Sequence, residues 1–520
     1  MNNQIFKALK RLHKCGSSSV EHENLRIRSS LISTIRNKIN VAMLDEVKYP
    51  DDVTVHSELS HNLTWLHKVA PGFKVDGSKI TVIHEPNEFY STLITECEKA
   101  KSRITLASLY LGTGPLENAL VDTVKKAIDQ SNGKLRVTIL LDYTRGTRGK
   151  CNSKTTLQPL LQGKWSYSSN IFLYHTPKLR GILKRILPHR FNELIGLQHM
   201  KLYLFDDTLI ISGANLSNDY FTNRQDRYFV IRDCKDLCDF YDSLVERISE
   251  VSFRVIPEQN EPIIDKGKVH PLENSCEEFA RVAAAGVRSL FQSELDKRSN
   301  EHIEQEMRDS DTWIFPLVEM GQFDIHHDSK VTLRLLQSAP PGSTLRLATG
   351  YFNLTYEYTN AILHYCRATC HLLTAHPTAN GFFGAKGVAG AIPAAYTTIE
   401  KSFYKKSEKL DQSDRINLWE FVRPGWTYHA KGLWYTLPGH TKPSLTLIGS
   451  SNFGYRSVKR DLETQVAIVT KNEKLQQSLK AEHERLFDRS KLVTRESFKQ
   501  PERIAPAWVC AAVIFFRYYF

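Results

Sequence analysis

The sequence predicts an α/β protein made of two similar halves, each a mixed sheet flanked by helices. Three observations predict it. A strand, helix, strand alternation occurs twice along the 520 residues. Ser102–Tyr110 (SRITLASLY) parallels Ser343–Tyr351 (STLRLATGY). A His-x-Lys step, followed by an Asn and then an acid, stands in each half, at His199 and at His429.

The elements follow in order. In the first half Arg103 to Leu109 reads as a strand, Pro115 to Gln130 has a helical pattern, and Leu135 to Leu141 is the next strand. Lys201 to Phe205 and Thr208 to Ser212 read as short strands rich in β-formers, and Asp206-Asp207 between them is a two-residue turn. In the second half Thr344 to Thr349 is a strand, Thr355 to Thr369 a helix and His371 to Thr374 a strand. Gly432 to Thr436 and Leu445 to Ile448 form the second hairpin, with the Pro/Gly loop Leu437 to Ser444 in place of a tight turn. The charged stretch between the halves has a helical centre, Glu277 to Gln305, with Phe279, Val282, Val287 and Leu290 apolar. The division expected is a basic arm over 1–45, a first half over 46–256, a helical connector over 257–311, a second half over 312–500 and an apolar tail over 501–520.

Composition bounds the partners. A net charge of +12, with 41% hydrophobic and 24% charged residues, describes a globular basic protein. Nucleic acid and an anionic membrane both suit that charge. No run of 18 apolar residues exists, which excludes a spanning helix on sequence grounds. Up to Val20 there is no acid, while Lys7, Lys10, Arg11 and Lys14 surround an apolar stripe of Ile5, Phe6, Leu9 and Leu12. That is the composition of a mitochondrial transit peptide. The end from Ala505 to Phe520 is too short to span; a bilayer interface or docking on the core both suit it. Nine cysteines with no C-x-x-C pair read as free thiols in a reducing compartment, with Cys234 and Cys238, and Cys366 and Cys370, each spaced for one helix face.

The His-Lys steps carry the chemistry. On a strand, i and i+2 share a face, so His199 and Lys201 project together while Met200 points away. The same holds for His429 and Lys431. Asn215 and Asn452 are each followed after eleven residues by an acid, Asp226 and Glu463. An imidazole, an ammonium and a neutral amide together suit an anionic phosphate. Asp206 stands next to the first step as a catalytic or a turn residue; Thr436 replaces it in the second.

The H-x-K-x4-D pattern with a following G-x-N or G-x-x-N resembles the phospholipase D superfamily. Ala107-Ser-Leu-Tyr-Leu-Gly-Thr-Gly114, Gly213-Ala-Asn-Leu216, Asn380-Gly-Phe-Phe-Gly-Ala-Lys-Gly387, Tyr428-His-Ala-Lys-Gly-Leu-Trp434 and Gly449-Ser-Ser-Asn-Phe-Gly-Tyr-Arg456 resemble, more narrowly, the eukaryotic mitochondrial phosphatidylglycerophosphate synthases. The likeness runs from about Val55 to Thr470. It implies two phospholipase D-like halves packed face to face around one active site. It implies CDP-diacylglycerol and glycerol 3-phosphate as substrates, phosphatidylglycerophosphate and CMP as products, and a phosphohistidine intermediate. His199 is expected as nucleophile and His429 as acid/base, with the reverse assignment open. Lys201, Lys431, Asn215 and Asn452 would hold phosphate oxygens, and Asp226 and Glu463 would hydrogen-bond the histidines. No cofactor and no metal-ligand cluster is expected; stimulation by added divalent cations stays open. The partners expected are the two substrates and an anionic membrane surface, without nucleic acid, and the location is the mitochondrion, peripheral on the inner membrane. A hydrolase using water as acceptor, of phospholipase D or nuclease type, is the alternative, and a non-catalytic membrane scaffold a further one.

Three other stretches are candidates for contact. The glycine-rich loop with Gly384, Lys386 and Gly387 could cradle a diphosphate through backbone N–H groups. Lys178 and Arg180 open the basic amphipathic stretch Lys178 to Arg190, suited to anionic headgroups. Ala107, Gly112 and Gly114 imitate a Walker loop, but Thr113 and Gly114 stand where Lys and Ser/Thr belong, so no ATP chemistry is expected.

Overall fold

Two sheets carry the molecule, and they share one strand order. The first runs β10 (Phe253–Arg254), β5 (Ser169–Tyr174), β4 (Arg136–Asp142), β3 (Arg103–Ala107), β6 (Leu202–Phe205), β7 (Thr208–Ser212), β9 (Tyr228–Ile231), β2 (Ile80–Ile83). The second runs β20 (Ser490–Leu492), β15 (Ile416–Phe421), β14 (Thr369–Ala375), β13 (Thr344–Ala348), β17 (Gly432–Thr436), β18 (Leu445–Gly449), β19 (Leu462–Thr470), β11 (Thr312–Met320). Element for element this is one unit used twice. Both sheets are mixed: β3, β4 and β5 are parallel, as are β13, β14 and β15, and the hairpins β6–β7 and β17–β18 are antiparallel.

The computed structural model describes residues 63–181, 192–257, 259, 261–298 and 309–519, all within the unit Ser57–Phe520. The expected basic arm, residues 182–190 of the basic stretch and residues 299–305 of the expected connector helix lie outside the described residues.

One strand departs from the expected division. β1 (Phe73–Val75) belongs by position to the first half but pairs antiparallel with β11 of the second sheet, Phe73 opposite Ile314. Its alternating burial fits an edge strand, and it covers the edge that β11 would otherwise leave open.

Side-chain alternation explains how the sheets meet. Along β6, Leu202 and Leu204 join the core shared with the second half, where Leu433 and Leu447 lie. Tyr203 and Phe205 point the other way, into the core under α1 (Pro86–Lys99) and α2 (Pro115–Gln130). A full burial of such side chains contributes about 1.5–3 kcal/mol each. α2 starts where Pro115 takes its first position and buries Leu120, Val121, Val124, Ala127 and Ile128, spaced as one helical stripe.

The connector is α4 (Cys276–Arg298), which packs on α3 (Lys235–Ser249). Phe279, Val287 and Phe291 are buried, but Val282, expected on that face, is exposed and Ala283 takes its place. Cys366 and Cys370 lie with their thiols 3.5 Å apart, yet not on one helix: Cys366 ends a single turn and Cys370 is in β14. Thr355 to Thr369 is helical only over residues 356–365, with Ala361–Tyr365 more widely wound, and β14 has begun by Thr369.

Candidate active site

The sheets bring both His-Lys steps to one place through short backbone pairings that cross the seam. The His199 amide donates to the Leu462 carbonyl at 2.8 Å, and the Leu462 amide to the Leu197 carbonyl at 2.7 Å. In the mirror arrangement, the His429 amide donates to the Gln225 carbonyl at 2.8 Å and the Thr427 amide to the Asn223 carbonyl at 3.0 Å. The second pairing is the small parallel ribbon of β8 (Arg224–Gln225) and β16 (Thr427–Tyr428). Each histidine is thereby laid beside the residue that precedes the other half's acid.

The side chains follow. His199 Nδ1 lies 2.8 Å from Glu463 Oε2, and His429 Nδ1 lies 2.7 Å from Asp226 Oδ2. Each imidazole is held by a carboxylate from the opposite half. Both are buried, at 4% exposure. Lys201 Nζ donates to the His199 carbonyl at 2.7 Å and Lys431 Nζ to the His429 carbonyl at 2.8 Å, so both ammonium groups fold back to the same position relative to their histidine. Lys431 also stands 3.8 Å from Asp226 and against the His429 ring. Asn215 Oδ1 and Asn452 Oδ1 are buried without a hydrogen-bond partner. An unmet amide oxygen calls for a donor, and it is the Nδ2 end of each amide that could give a hydrogen bond to a phosphate oxygen.

Glycine is required where these groups crowd. A Cβ on Gly213 would come within 2.6 Å of Asp226 Oδ1 and 2.9 Å of Lys431 Nζ. Gly432 has φ +132, and a Cβ there would meet Arg227 Nη1 and the Leu447 carbonyl at 2.2 Å.

Electrostatics set the protonation states. Burial, then Lys201, holds the His199 imidazole well below its ordinary value. Burial, then Lys431, does the same for His429. Burial also depresses both lysines, Lys201 strongly. Glu463 is pushed up to about 7 by burial, against the pull of Lys201. A neutral imidazole with Nδ1–H donating to a carboxylate presents the Nε2 lone pair.

Around this centre stand groups that the spacing argument passed over. The Tyr220 hydroxyl lies 3.3 Å from His429 Nε2, and Tyr351 packs edge-on against the same ring. Ser457 donates to Glu463 Oε1 at 2.6 Å. Arg224 pairs with Asp219 at 3.2 Å, and Arg456 with Asp461 at 2.8 Å. Counted from Asn215 and Asn452, these pairs occupy equivalent positions with the charges exchanged. The signal was legible in the repeat, as an Arg and an Asp trading places four and nine residues after each Asn.

His199, Asp461 and Glu463 place ligand atoms within 4.8 Å of one another, a geometry that a metal ion could use. Their oxygens already accept from His199, Ser457, Arg456 and the Leu197 amide. Lys201 also stands close enough to pull the Glu463 carboxyl down.

Other expected residues stand apart. Asp206, expected beside His199 and Lys201, sits at the β6–β7 turn with φ 51. Its carboxylate accepts from the amides of Lys101, Ser102 and Arg103 at 2.8–3.0 Å, which anchors the start of β3. At the imitated Walker loop, Ala107 ends β3, and the Glu117 carboxylate fills the space beside Gly112 and Gly114. An acid there repels phosphate. Arg180 donates to the Asn274 carbonyl and Cys276 Sγ at the connector, and Lys178 is exposed. The glycine-rich loop approaches the centre through Gly381, 3.3 Å from Arg224 as a Cβ would see it. Gly384 and Gly387 have positive φ and open space around them, and Lys386 is exposed.

No family model matches the chain. It is similar to the mitochondrial CDP-diacylglycerol–glycerol-3-phosphate 3-phosphatidyltransferase of Cricetulus griseus, 46% identical over 471 residues, covering 86% of this chain and 85% of that protein. The Homo sapiens protein of the same name is 45% identical over 86% of this chain and 84% of its own length. The CDP-diacylglycerol–glycerol-3-phosphate 3-phosphatidyltransferase of Saccharomyces pastorianus is 35% identical over 86% and 88%. Among solved structures, a phosphatidylserine synthase from Haemophilus influenzae shares the fold, with a TM-score of 0.66, 18% identity, and coverage of 88% of this chain and 97% of that one.

Proposed function

This chain belongs to the family of mitochondrial CDP-diacylglycerol–glycerol-3-phosphate 3-phosphatidyltransferases, and from that premise we propose how its residues divide the reaction. The protein is mitochondrial and transfers the phosphatidyl group of CDP-diacylglycerol to glycerol 3-phosphate, giving phosphatidylglycerophosphate and CMP.

The reaction proceeds by two displacements. In the first, the Nε2 lone pair of His199 bonds to the phosphatidyl phosphorus. The bond from phosphorus to the CMP oxygen breaks, and the proton on His429 Nε2 goes to that oxygen. In the second, His429 takes the proton of a glycerol 3-phosphate hydroxyl, whose oxygen attacks phosphorus, and the N–P bond to His199 breaks. Lys201, Lys431, Asn215 and Asn452 hold the non-bridging oxygens. The depression of His429 belongs to a site without its anion; the substrate's phosphates favour the imidazolium that the first step needs.

The observation that carries this reading is the reciprocal pairing of the two imidazoles with carboxylates of the opposite halves. Mass spectrometry of the protein trapped with CDP-diacylglycerol in the absence of acceptor tests it. A phosphatidyl group on His199 is expected. Label on His429 reverses the roles, and full turnover without label on either sinks the covalent route.

A peripheral seat on the inner membrane accompanies this activity. α8 (Ala507–Phe516) is apolar on all sides. It rests Val509 and Val513 on the core and leaves Trp508 and Ile514 at 54% and 72% exposure. Its neighbour α6 (Ile392–Lys409) exposes Lys401, Lys405, Lys406 and Lys409. Aromatic and aliphatic side chains beside lysines suit an anionic interface. No helix among the described residues is long and apolar enough to cross a membrane.

A further inference from the structure

Four groups already meet the needs of the phosphate being transferred: two ammonium groups and two amides. Arg227 is neutralised by Glu482, and the two other guanidinium groups nearby are not equivalent. Arg456 Nε is held by Asp461, a carboxylate 1% exposed, so its charge is balanced inside the protein. Arg224 is also enclosed, its side chain 15% exposed, but its partner Asp219 is 57% exposed and makes one contact at 3.2 Å. Water screens such a pair. Its Nε donates to a neutral group, Thr427 Oγ1, at 2.9 Å. Arg224 thus keeps a net charge in an enclosed place.

Its position is defined. The guanidinium lies 4.8 Å from the Tyr220 ring centroid, and the Tyr220 hydroxyl reaches His429 Nε2. Gly381 leaves Arg224 Nη2 and the Tyr351 hydroxyl uncovered, because a Cβ there would lie 3.3 and 3.6 Å from them. A guanidinium with donors to spare, beside two phenol hydroxyls, can bind a phosphomonoester. The glycerol 3-phosphate acceptor carries a phosphate that takes no part in bond making, and the transfer machinery has no group left for it.

We propose that Arg224, framed by Tyr220 and Tyr351, binds the phosphomonoester of the acceptor and so makes the enzyme choose glycerol 3-phosphate over an uncharged alcohol. The assignment rests on His429 being the histidine that exchanges protons with the entering oxygen.

The test uses the full chain with CDP-diacylglycerol in mixed micelles and either glycerol 3-phosphate or glycerol as acceptor. Arg224→Gln is expected to raise KM for glycerol 3-phosphate about 10- to 100-fold, the range of one charged hydrogen-bonded contact, with a much smaller change in kcat. The preference for glycerol 3-phosphate over glycerol falls by the same factor, and Arg224→Lys is intermediate. Asp219→Asn, at an exposed position, lowers KM for glycerol 3-phosphate by removing the competing carboxylate. An equal loss with both acceptors overturns the proposal. So does a rise in the inhibition constant for CMP with an unchanged KM for glycerol 3-phosphate, which would assign the site to the nucleotide. Label trapped on His429 instead of His199 would overturn the underlying division of roles, a separate readout.

Discussion

His199 Nδ1 of the first half lies 2.8 Å from Glu463 Oε2 of the second, and this contact leaves Nε2 as the other nitrogen of the ring, free to react. Glu463→Gln keeps the shape but places an amide where a carboxylate orients the ring. Transfer is expected to fall about 1,000- to 10,000-fold, as for the orienting acid of a hydrolytic triad, with the fold retained. Steady-state kinetics with circular dichroism as a control measure it. A loss under tenfold would remove Glu463 from the mechanism.

The same carboxyl sets a pH limb. Its pKa is raised to about 7, so below that pH it carries a proton and turns a donor toward Nδ1. The ring then takes the Nε2–H form, which cannot attack. The rate kcat/KM should therefore rise with pH through about 7 and level off above it. In Glu463→Gln the limb disappears. An unchanged limb in that variant would assign it to another group.

Asp206 is expected to be structural. Asp206→Ala removes a carboxylate that caps three backbone N–H groups, two of them exposed, at a cost of about 1–2 kcal/mol. Urea denaturation should show that loss, while turnover per folded molecule stays within about threefold. A drop of about a hundredfold in folded protein would restore Asp206 to the chemistry.

The halves are bolted beside the site by Arg227. It is fully buried, gives Glu482 two hydrogen bonds at 2.8 and 2.9 Å, reaches the Leu447 carbonyl at 2.8 Å, and lies over Trp434. Arg227→Met leaves Glu482 charged and unmatched, and should cost about 3–5 kcal/mol in chemical denaturation. Adding Glu482→Leu should recover part of it. A single-variant loss below about 1 kcal/mol would show that the pair does not hold the seam.

Membrane contact through α8 is tested with Trp508→Ala combined with Ile514→Ser. Partition onto vesicles containing anionic lipid should fall about tenfold or more, given the apolar area removed. Turnover of a soluble short-chain CDP-diacylglycerol should hold. Unchanged partition would mean that the tail only docks on the core, where Arg517 already donates to the Leu354 carbonyl at 2.8 Å.

Much of this architecture is written locally. The two-residue alternation of Leu202-Tyr-Leu-Phe205 separates two cores, and Pro115 with its apolar stripe starts and faces α2 without help from distant residues. Repetition also made the histidines, lysines, asparagines and acids legible, because the His-to-Lys and Asn-to-acid spacings survived in both halves. Asp206 stayed ambiguous for the opposite reason: a turn aspartate and a catalytic one look alike when only neighbours in the chain are visible. Arg224 and Tyr220 were hidden because their role depends on Gly381 and His429, far away in sequence.

By itself, the amino-acid order determined two sheet-forming halves, two imidazoles and an acid eleven residues beyond each asparagine. Only the folded chain decided which acid serves which histidine. The short backbone pairings of residues 197–199 with 461–463, and of 223–225 with 427–429, run across the seam rather than within a half. Hydrogen bonds between segments more than 200 residues apart carry no trace in local spacing, and they exchange the carboxylates between the two imidazoles.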